Sequence, residues 1–255
     1  KKYPEAMAYS DTLTKFYIRE VELEKAEAVV YDFAKNNPEE LEPKLRVAAF
    51  LLRHRSKEAA IKQVEDYLEE DPDQSKYYLT LAQLHAFTGD KVMAKSVLNK
   101  AIDRDPRSVA AIEARNRLAG MALEEKDVAT AKALLEEVLE IEPENSVALE
   151  VRARIALAEN RLNDGIADLR AIIKNEPESI EALKLLAAAH EASGSEGLAL
   201  DGYKKIMALE KPDLKVLASA ARLAIKAEQY TEAENYIRLA LELDEDNAGL
   251  VTNLI

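Results

Sequence analysis

Proline recurs at a nearly constant interval along this chain of 255 residues. The interval is 34 residues in four of six cases, and 35 or 37 residues in the other two. Seven of the eight prolines form this series: Pro4, Pro38, Pro72, Pro106, Pro143, Pro177 and Pro212. Pro43 lies outside it, and Glu245, among turn-forming Asp and Asn residues, takes the next expected position. A fixed period of this length indicates a repeat protein, in which each unit buries its apolar face against its neighbours.

Small and apolar residues follow the same period. A small residue stands twelve positions before each turn, in the series Ala26, Ala60, Ala94, Ala131, Gly165 and Ala233. Four positions later comes an apolar series, in which each member is followed by another small or apolar residue three positions on, as in Leu135 and Val138. This spacing places side chains on one face of a helix. We predict two helices per unit, joined by turns such as Thr88-Gly89-Asp90 and Ser193-Gly194-Ser195, where glycine adopts the left-handed conformation that ends a helix.

Composition narrows the fold class to all-α. The chain contains only 7 Gly and 8 Pro, which is too few for the tight turns of sandwiches and barrels. It has no Cys, so disulfides, thiolate metal sites and cysteine nucleophiles are excluded. With 48% hydrophobic and 33% charged residues it can pack a core, and no apolar run approaches the roughly 18 residues of a membrane span.

The repeated unit resembles the tetratricopeptide repeat family. The resemblance rests on unit length, on small residues at both helix crossings and on the closing proline of segments such as 139–145. It implies an all-α, right-handed superhelical solenoid of about seven helix-turn-helix hairpins. The large aromatic residue common early in the first helix is replaced at most positions of the series Ser10, Lys44, Tyr78, Arg115, Leu149, Leu183 and Leu217.

We predict a single solenoid over residues 1–255, and a fragment of a longer protein. The repeats are placed at 7–40, 41–74, 75–108, 109–145, 146–179, 180–213 and 214–247, with partial units at 1–6 and 248–255. The 37-residue interval contains three additional residues near Val109 to Ala111. They should lengthen one helix by nearly a turn and so keep its apolar face in register.

The sequence indicates no catalytic centre. The three histidines, His54, His85 and His190, form neither a Ser-His-Asp order nor an H-E-x-x-H helix. His85 and His190 occupy the same internal position three repeats apart and are expected to be core residues. We predict no enzyme activity, no catalytic residue, no metal site and no cofactor.

Charge suggests where a partner binds. The formal net charge is −13, which argues against nucleic acid as a partner. By the family resemblance the first helices line a concave groove, and there basic residues outnumber acidic ones. The predicted ligand-binding residues are Lys15, Arg19, Arg46, Arg53, Asn116, Arg117, Arg154, Lys184, Arg222 and Lys226. Either these side chains attract an acidic peptide, or they pair with neighbouring glutamates and only solubilise the groove.

A second cluster contains Arg115, Arg117, Arg152 and Arg154. Arg115 and Arg152 stand at positions that are normally apolar, and a buried arginine needs a carboxylate partner. Glu150 and Glu113 are the candidate partners. A structural ion-pair network and an anion-binding site both remain open.

The function that follows is a noncatalytic protein–protein interaction scaffold, which binds a peptide or partner helix in its concave groove. Segments 152–158 and 166–172 resemble long bacterial arrays, several of which serve envelope or exopolysaccharide export machinery. The bacterial periplasm or envelope is therefore favoured over the cytoplasm. The alternative is direct binding of an anionic polymer by the mildly basic groove. The sequence makes no prediction of the oligomeric state.

Overall fold

The structure is a computed structural model that describes the backbone of residues 4–243 and the side chains of residues 7–243. The predicted turn at Glu245 and the partial unit at 248–255 lie outside the described residues. Within the described range every regular element is a helix, and there is no strand. The predicted all-α fold class, an array of helix-turn-helix hairpins, is confirmed.

Fourteen helices follow one another with short connections in the described range. They are α1 (Pro4–Arg19), α2 (Leu23–Asn36), α3 (Leu41–His54), α4 (Lys57–Glu70), α5 (Ser75–Phe87), α6 (Lys91–Arg104), α7 (Val109–Glu124), α8 (Val128–Ile141), α9 (Ser146–Ala158), α10 (Leu162–Asn175), α11 (Ile180–Ala192), α12 (Glu196–Leu209), α13 (Leu214–Lys226) and α14 (Tyr230–Leu243).

The chain divides into two compact units, Lys1–Leu118 and Ala119–Ile255. In the first unit the hairpins are α1/α2, α3/α4 and α5/α6, and α3 and α5 also pack on the second helix of the preceding hairpin. In the second unit the hairpins α9/α10, α11/α12 and α13/α14 follow the same pattern. The boundary falls inside α7, which has 16 residues where α5 and α9 have 13. The predicted lengthening of this helix is confirmed.

The periodic prolines lie between hairpins, except the first. Helix α1 begins at Pro4, three residues before the predicted first repeat. Proline is tolerated there because the first backbone N–H groups of a helix have no partner within the helix. Pro43, outside the series, lies in the first turn of α3 for the same reason.

Turn chemistry fixes where the helices begin. The side chains of Asp90, Asp127, Asn145 and Asp213 accept hydrogen bonds from backbone N–H groups three residues on, at 2.9–3.0 Å. Each bond satisfies one of the donors that a helix start leaves unpaired. Within hairpins, Gly89 and Gly194 adopt the predicted left-handed conformation with φ of 84° and 75°.

Small residues allow the helices of each hairpin to approach closely. The residues of the small series are all buried, from Ala26 and Ala60 at 0% exposure to Ala233 at 2%. The apolar series beside them fills the core, and Val64, Leu135 and Leu169 are fully buried. The period read from the sequence therefore corresponds to the packing of each unit.

Candidate functional site

The predicted ligand-binding residues all lie on the first helices of their hairpins. They are Lys15 and Arg19 on α1, Arg46 and Arg53 on α3, Asn116 and Arg117 on α7, Arg154 on α9, Lys184 on α11, and Arg222 and Lys226 on α13. The first six belong to the first unit and the last four to the second.

In the second unit each predicted cation has an acidic partner. Arg154 contacts Glu150 at 3.0 Å and also pairs with Glu181 on the next first helix. Arg222 pairs in the same way with Glu191 on α11. These contacts join first helices of consecutive hairpins, which favours a structural role for the two arginines.

The two lysines of the second unit are engaged near helix starts. The Lys184 ammonium lies 3.0 Å from Asp213 Oδ2 and 3.1 Å from Glu210 Oε1. The hydrogen bond to Asp213 raises the pKa of Lys184 above its ordinary value. Lys226 pairs with Glu196 in the first turn of α12. Binding an external anion here would require breaking an existing ion pair.

In the first unit the predicted residues divide into engaged and free side chains. Arg46 pairs with Asp11 on α1, and Arg19 lies 3.4 Å from Glu20. Arg117 pairs with Glu113 and donates to the Leu79 carbonyl at 3.0 Å, while Asn116 is half-buried beside it. Two members are exposed and, within the described part of the chain, make no ion pair: Lys15 and Arg53.

The partner predicted for Arg152 is wrong, and its side chain is 40% exposed rather than buried. Its guanidinium binds Asp168 on α10, through Nε–Oδ2 at 2.9 Å and Nη2–Oδ1 at 2.7 Å. Glu150 pairs instead with Arg154, four residues along α9. The reason is helical geometry, because residues two positions apart do not share a face whereas residues four apart do.

The same geometry separates Arg115 from Glu113. Glu113 pairs with Arg117, four positions on, and Arg115 donates from Nη1 to the Pro106 carbonyl at 2.8 Å. The four arginines thus lie as one pair in each unit, and each pair makes contacts within its own unit. These contacts support the structural interpretation of the cluster.

An apolar pocket of about 420 Å³ lies between α3 and α5 in the first unit. It is lined by Leu45, Ala48, Ala49, Leu52, Thr80, Gln83, Leu84, Ala86 and Phe87, and we call it the α3–α5 pocket. Phe87 is 74% exposed at its edge. The charge pattern of the sequence does not reveal this pocket. The signal was present in Leu45, Ala49 and Leu52, whose spacing of four and three residues forms an additional apolar stripe on α3.

A pocket of about 330 Å³ lies elsewhere in the first unit, beside the turn that contains Pro38. It is lined by Tyr31, Ala34, Lys35, Pro38, Lys44, Gln63, Tyr67 and Glu70, and we call it the Lys44 pocket. The Tyr31 hydroxyl donates to Gln63 Oε1 at 2.7 Å. The Lys44 ammonium lies 5.5 Å from the centre of the Tyr67 ring and 3.9 Å from Glu70. Burial raises the pKa of Tyr67, so that this phenol stays neutral.

The histidines form part of the packing. His85 is 7% exposed and His190 is 6% exposed, which confirms that both are core residues. His54 packs against Phe50 with ring centres 4.9 Å apart. Among the side chains of residues 7–243, His, Asp and Glu form no group of three that could hold a metal ion. No helix in that range combines the length and the apolar character needed to cross a bilayer.

Comparison with known sequence families gives one consistent match. Profiles described as tetratricopeptide repeat match residues 75–108, 122–189 and 214–247, which together are more than half of the chain. No curated protein matches the chain by sequence.

Solved structures show the same fold at low sequence identity. PilW, described as a widely conserved type IV pilus biogenesis factor, has a TM-score of 0.62 at 19% identity and covers 83% of this chain and 97% of its own. PilF of Pseudomonas aeruginosa has a TM-score of 0.66 at 18% identity, with 81% and 92% covered. The C-terminal part of a repeat protein from Cytophaga hutchinsonii has a TM-score of 0.67 at 15% identity, with 97% and 99% covered.

Proposed function

Because the chain belongs to the tetratricopeptide repeat family, we propose that it is a noncatalytic scaffold that holds a peptide or helix of a partner protein against its first helices. The α3–α5 pocket carries this proposal. Two consecutive first helices there leave an apolar cavity open, with Phe87 at its edge. Exposed apolar surface of this kind, bordered by polar residues, is typical of interaction sites.

The pocket suits an apolar anchor residue of the partner. Its volume of about 420 Å³ lies in the range of pockets that accept small ligands or side chains. Burying one leucine or phenylalanine side chain contributes roughly 1.5–3 kcal/mol before the cost of ordering the peptide. Affinity would therefore require this anchor together with backbone or charged contacts on the neighbouring helix faces.

Charge beside the pocket favours an acidic partner. Arg53 follows Ala49 by four positions on α3, and Lys76 precedes Thr80 by four on α5, so each cation shares a face with pocket residues. Both are exposed, and no ion pair engages either of them within the described residues. A carboxylate flanking the apolar anchor would gain from both cations without displacing an existing pair.

A matched pair of variants tests the site. Peptides selected from a random library for binding to the wild-type chain serve as ligands. Ala49 and Ala28 are both exposed helical alanines, and Ala49 lines the pocket whereas Ala28 lies on α2. Ala49→Glu should weaken binding at least tenfold, because it places a charge at the apolar pocket, and Ala28→Glu should leave affinity within about twofold. Equal affinities for the two variants would refute the site.

Salt distinguishes the peptide from the polymer alternative. Polyanion binding depends on releasing counterions and falls steeply between about 50 and 200 mM salt. Binding that depends on an apolar anchor should change by less than about tenfold over that range. The ion pairs of Arg154, Arg222 and Lys226 oppose the polymer, since each pair would have to break before these cations could bind it.

We further propose a bacterial envelope or exopolysaccharide export assembly as the setting. This proposal rests on the resemblance of segments 152–158 and 166–172 to long bacterial arrays. Fractionation of cells that express the natural protein tests it. Recovery with envelope fractions is expected, and recovery only with the cytoplasm would overturn it.

A further inference from the structure

A buried side chain reaches back to the turn proline in two consecutive repeats. In the third repeat, Tyr78 stands six residues after Pro72 and its hydroxyl donates to the Pro72 carbonyl at 3.3 Å. In the fourth, Arg115 stands nine residues after Pro106, because three residues are inserted, and donates to the Pro106 carbonyl at 2.8 Å. Tyr78 is 8% exposed and Arg115 is 6% exposed, so both fill their sites.

The second repeat has a lysine at this position. Lys44 stands six residues after Pro38, as Tyr78 does after Pro72. Its ammonium lies beside the Tyr67 ring and Glu70. The Lys44 pocket, of about 330 Å³, remains open between Pro38 and this lysine.

The two sites share the turn proline and a charged residue on the second helix, and they differ in their other lining residues. Glu70 lines the Lys44 pocket, and Arg104, which hydrogen-bonds to Asp73, stands 34 residues later. Pro38 lines the pocket, and 34 residues later Pro72 accepts from the Tyr78 hydroxyl. In the third repeat a phenol thus contacts the turn carbonyl, whereas in the second the Lys44 ammonium lies against Tyr67 and Glu70 and a pocket beside Pro38 stays open.

We propose that the Lys44 pocket binds a tyrosine side chain of a partner protein, with the phenol placed as Tyr78 is in the next repeat. The hydroxyl donates to the Pro38 carbonyl, and the ring packs on Ala34 and Tyr67. The pocket opens to solvent at Lys35, Pro38 and Glu70, which are exposed, whereas Ala34 and Tyr67 are buried. A side chain can therefore enter from outside without rearrangement of the helices.

The charges of the pocket select tyrosine over arginine. Lys35 and Lys44 outnumber Glu70 among the lining residues, so a guanidinium would meet a net positive rim. Phenylalanine would fill the same space but lacks a donor for the Pro38 carbonyl. The residues of this pocket are distinct from those of the α3–α5 pocket, so the two sites can be tested independently.

The test uses N-acetyl-L-tyrosinamide, titrated into the ¹⁵N-labelled chain and followed by amide chemical shifts. Saturable shifts are expected in segments 31–44 and 63–70, with a Kd on the order of 1 mM. The phenylalanine and arginine amides should bind at least threefold more weakly. Stronger binding of either, or shifts that map elsewhere in the chain, would overturn the proposal without any variant.

A substitution that fills the pocket from within supplies the second test. Lys44→Tyr introduces a tyrosine at the position of the second repeat that is equivalent to Tyr78, and its ring should fill the pocket. Binding of N-acetyl-L-tyrosinamide should then weaken at least tenfold, and the midpoint of thermal unfolding should rise. Lys57→Tyr, at the opposite end of α4 from Glu70, is the matched control and should bind as wild type. A folded Lys44→Tyr chain with wild-type affinity would refute the assignment.

Discussion

Arg152 and Asp168 form a bidentate ion pair that joins α9 to α10 within one hairpin. The Asp168 side chain is only 11% exposed, whereas that of Arg152 is 40% exposed. The hydrogen bond to Asp168 raises the pKa of Arg152 above its ordinary value. The pair is therefore a buried carboxylate held by a guanidinium that still reaches solvent.

Removing the guanidinium should destabilise the second unit. Arg152→Met leaves the Asp168 carboxylate buried without its partner, and the free energy of unfolding should fall by about 2 kcal/mol. This is below the cost for a fully buried pair because Arg152 is partly solvated. Urea denaturation measures the change.

A double variant tests whether the loss of stability comes from the unpaired Asp168 carboxylate. Arg152→Met combined with Asp168→Leu replaces both charges by apolar groups and should recover most of the loss. Arg154→Met is the control, since its ion pairs are largely exposed and should be worth less than about 1 kcal/mol. Equal losses in the free energy of unfolding for Arg152→Met and Arg154→Met would contradict a special contribution of the Arg152–Asp168 pair.

The choice of partner for Arg152 shows what the sequence could predict. The 34-residue period shows which side chains are buried, and this is enough to predict the helices and the core. Ion pairs depend on which helix faces which, and Asp168 lies sixteen residues from Arg152 on the other helix of the hairpin. Glu150, close in sequence, was the natural candidate, and only the packed structure excludes it.

The binding surface was harder to predict for a related reason. Counting charges along the first helices identified the cations but not their partners, and Lys184 or Arg222 is engaged by an acidic residue 26 to 31 positions away. Pockets are spaces left between helices, so they depend on side-chain volume in three dimensions. Lys44 departs from the family pattern in the sequence, yet the space beside it is visible only in the structure.

The left-handed turn positions give a second prediction. Lys126, Asn160, Gly194 and Glu228 follow one another at 34-residue intervals, all with positive φ. A side chain other than glycine costs roughly 1–2 kcal/mol in this conformation, and asparagine tolerates it best. Lys126→Gly should therefore raise the midpoint of urea unfolding, and Asn160→Gly should raise it by less. Gly194→Ala should lower the midpoint, and an unchanged midpoint would show that the turn relaxes without strain.

Two helical glycines should respond in opposite ways to alanine. A Cβ on Gly165 would lie 2.8 Å from the Leu157 side chain and 3.3 Å from the Ala153 carbonyl oxygen, so either Leu157 must move or the α9/α10 crossing must open. A Cβ on Gly120 would meet nothing within 4 Å. Gly120→Ala should gain up to about 1 kcal/mol from helix propensity, while Gly165→Ala should lose about 1–2 kcal/mol despite the same propensity gain. Thermal unfolding of both variants decides this, and a stabilised Gly165→Ala would mean that Leu157 moves aside easily.

Stability should fall below neutral pH because of His190. Its side chain is 6% exposed, and its Nδ1 atom is buried without a hydrogen-bond partner in the described residues. Burial, and secondarily the charge of Arg170, lowers the pKa of His190 below its ordinary 6.5. Protonation then favours the unfolded chain, so the contribution is complete above pH 6.5 and declines as the pH falls through that value.

Hydrogen exchange of the α11 and α12 amides at pH 7.5 and 5.5 measures this decline locally, which matters because repeat arrays need not unfold in one step. His190→Leu replaces the imidazole by an apolar side chain of similar size and should remove most of the pH dependence of exchange. Asp213 does not interfere, because its capping bond from Val216 holds its pKa below 3.8 and its contribution is lost only at lower pH. A pH dependence that persists in His190→Leu would assign the effect to another group.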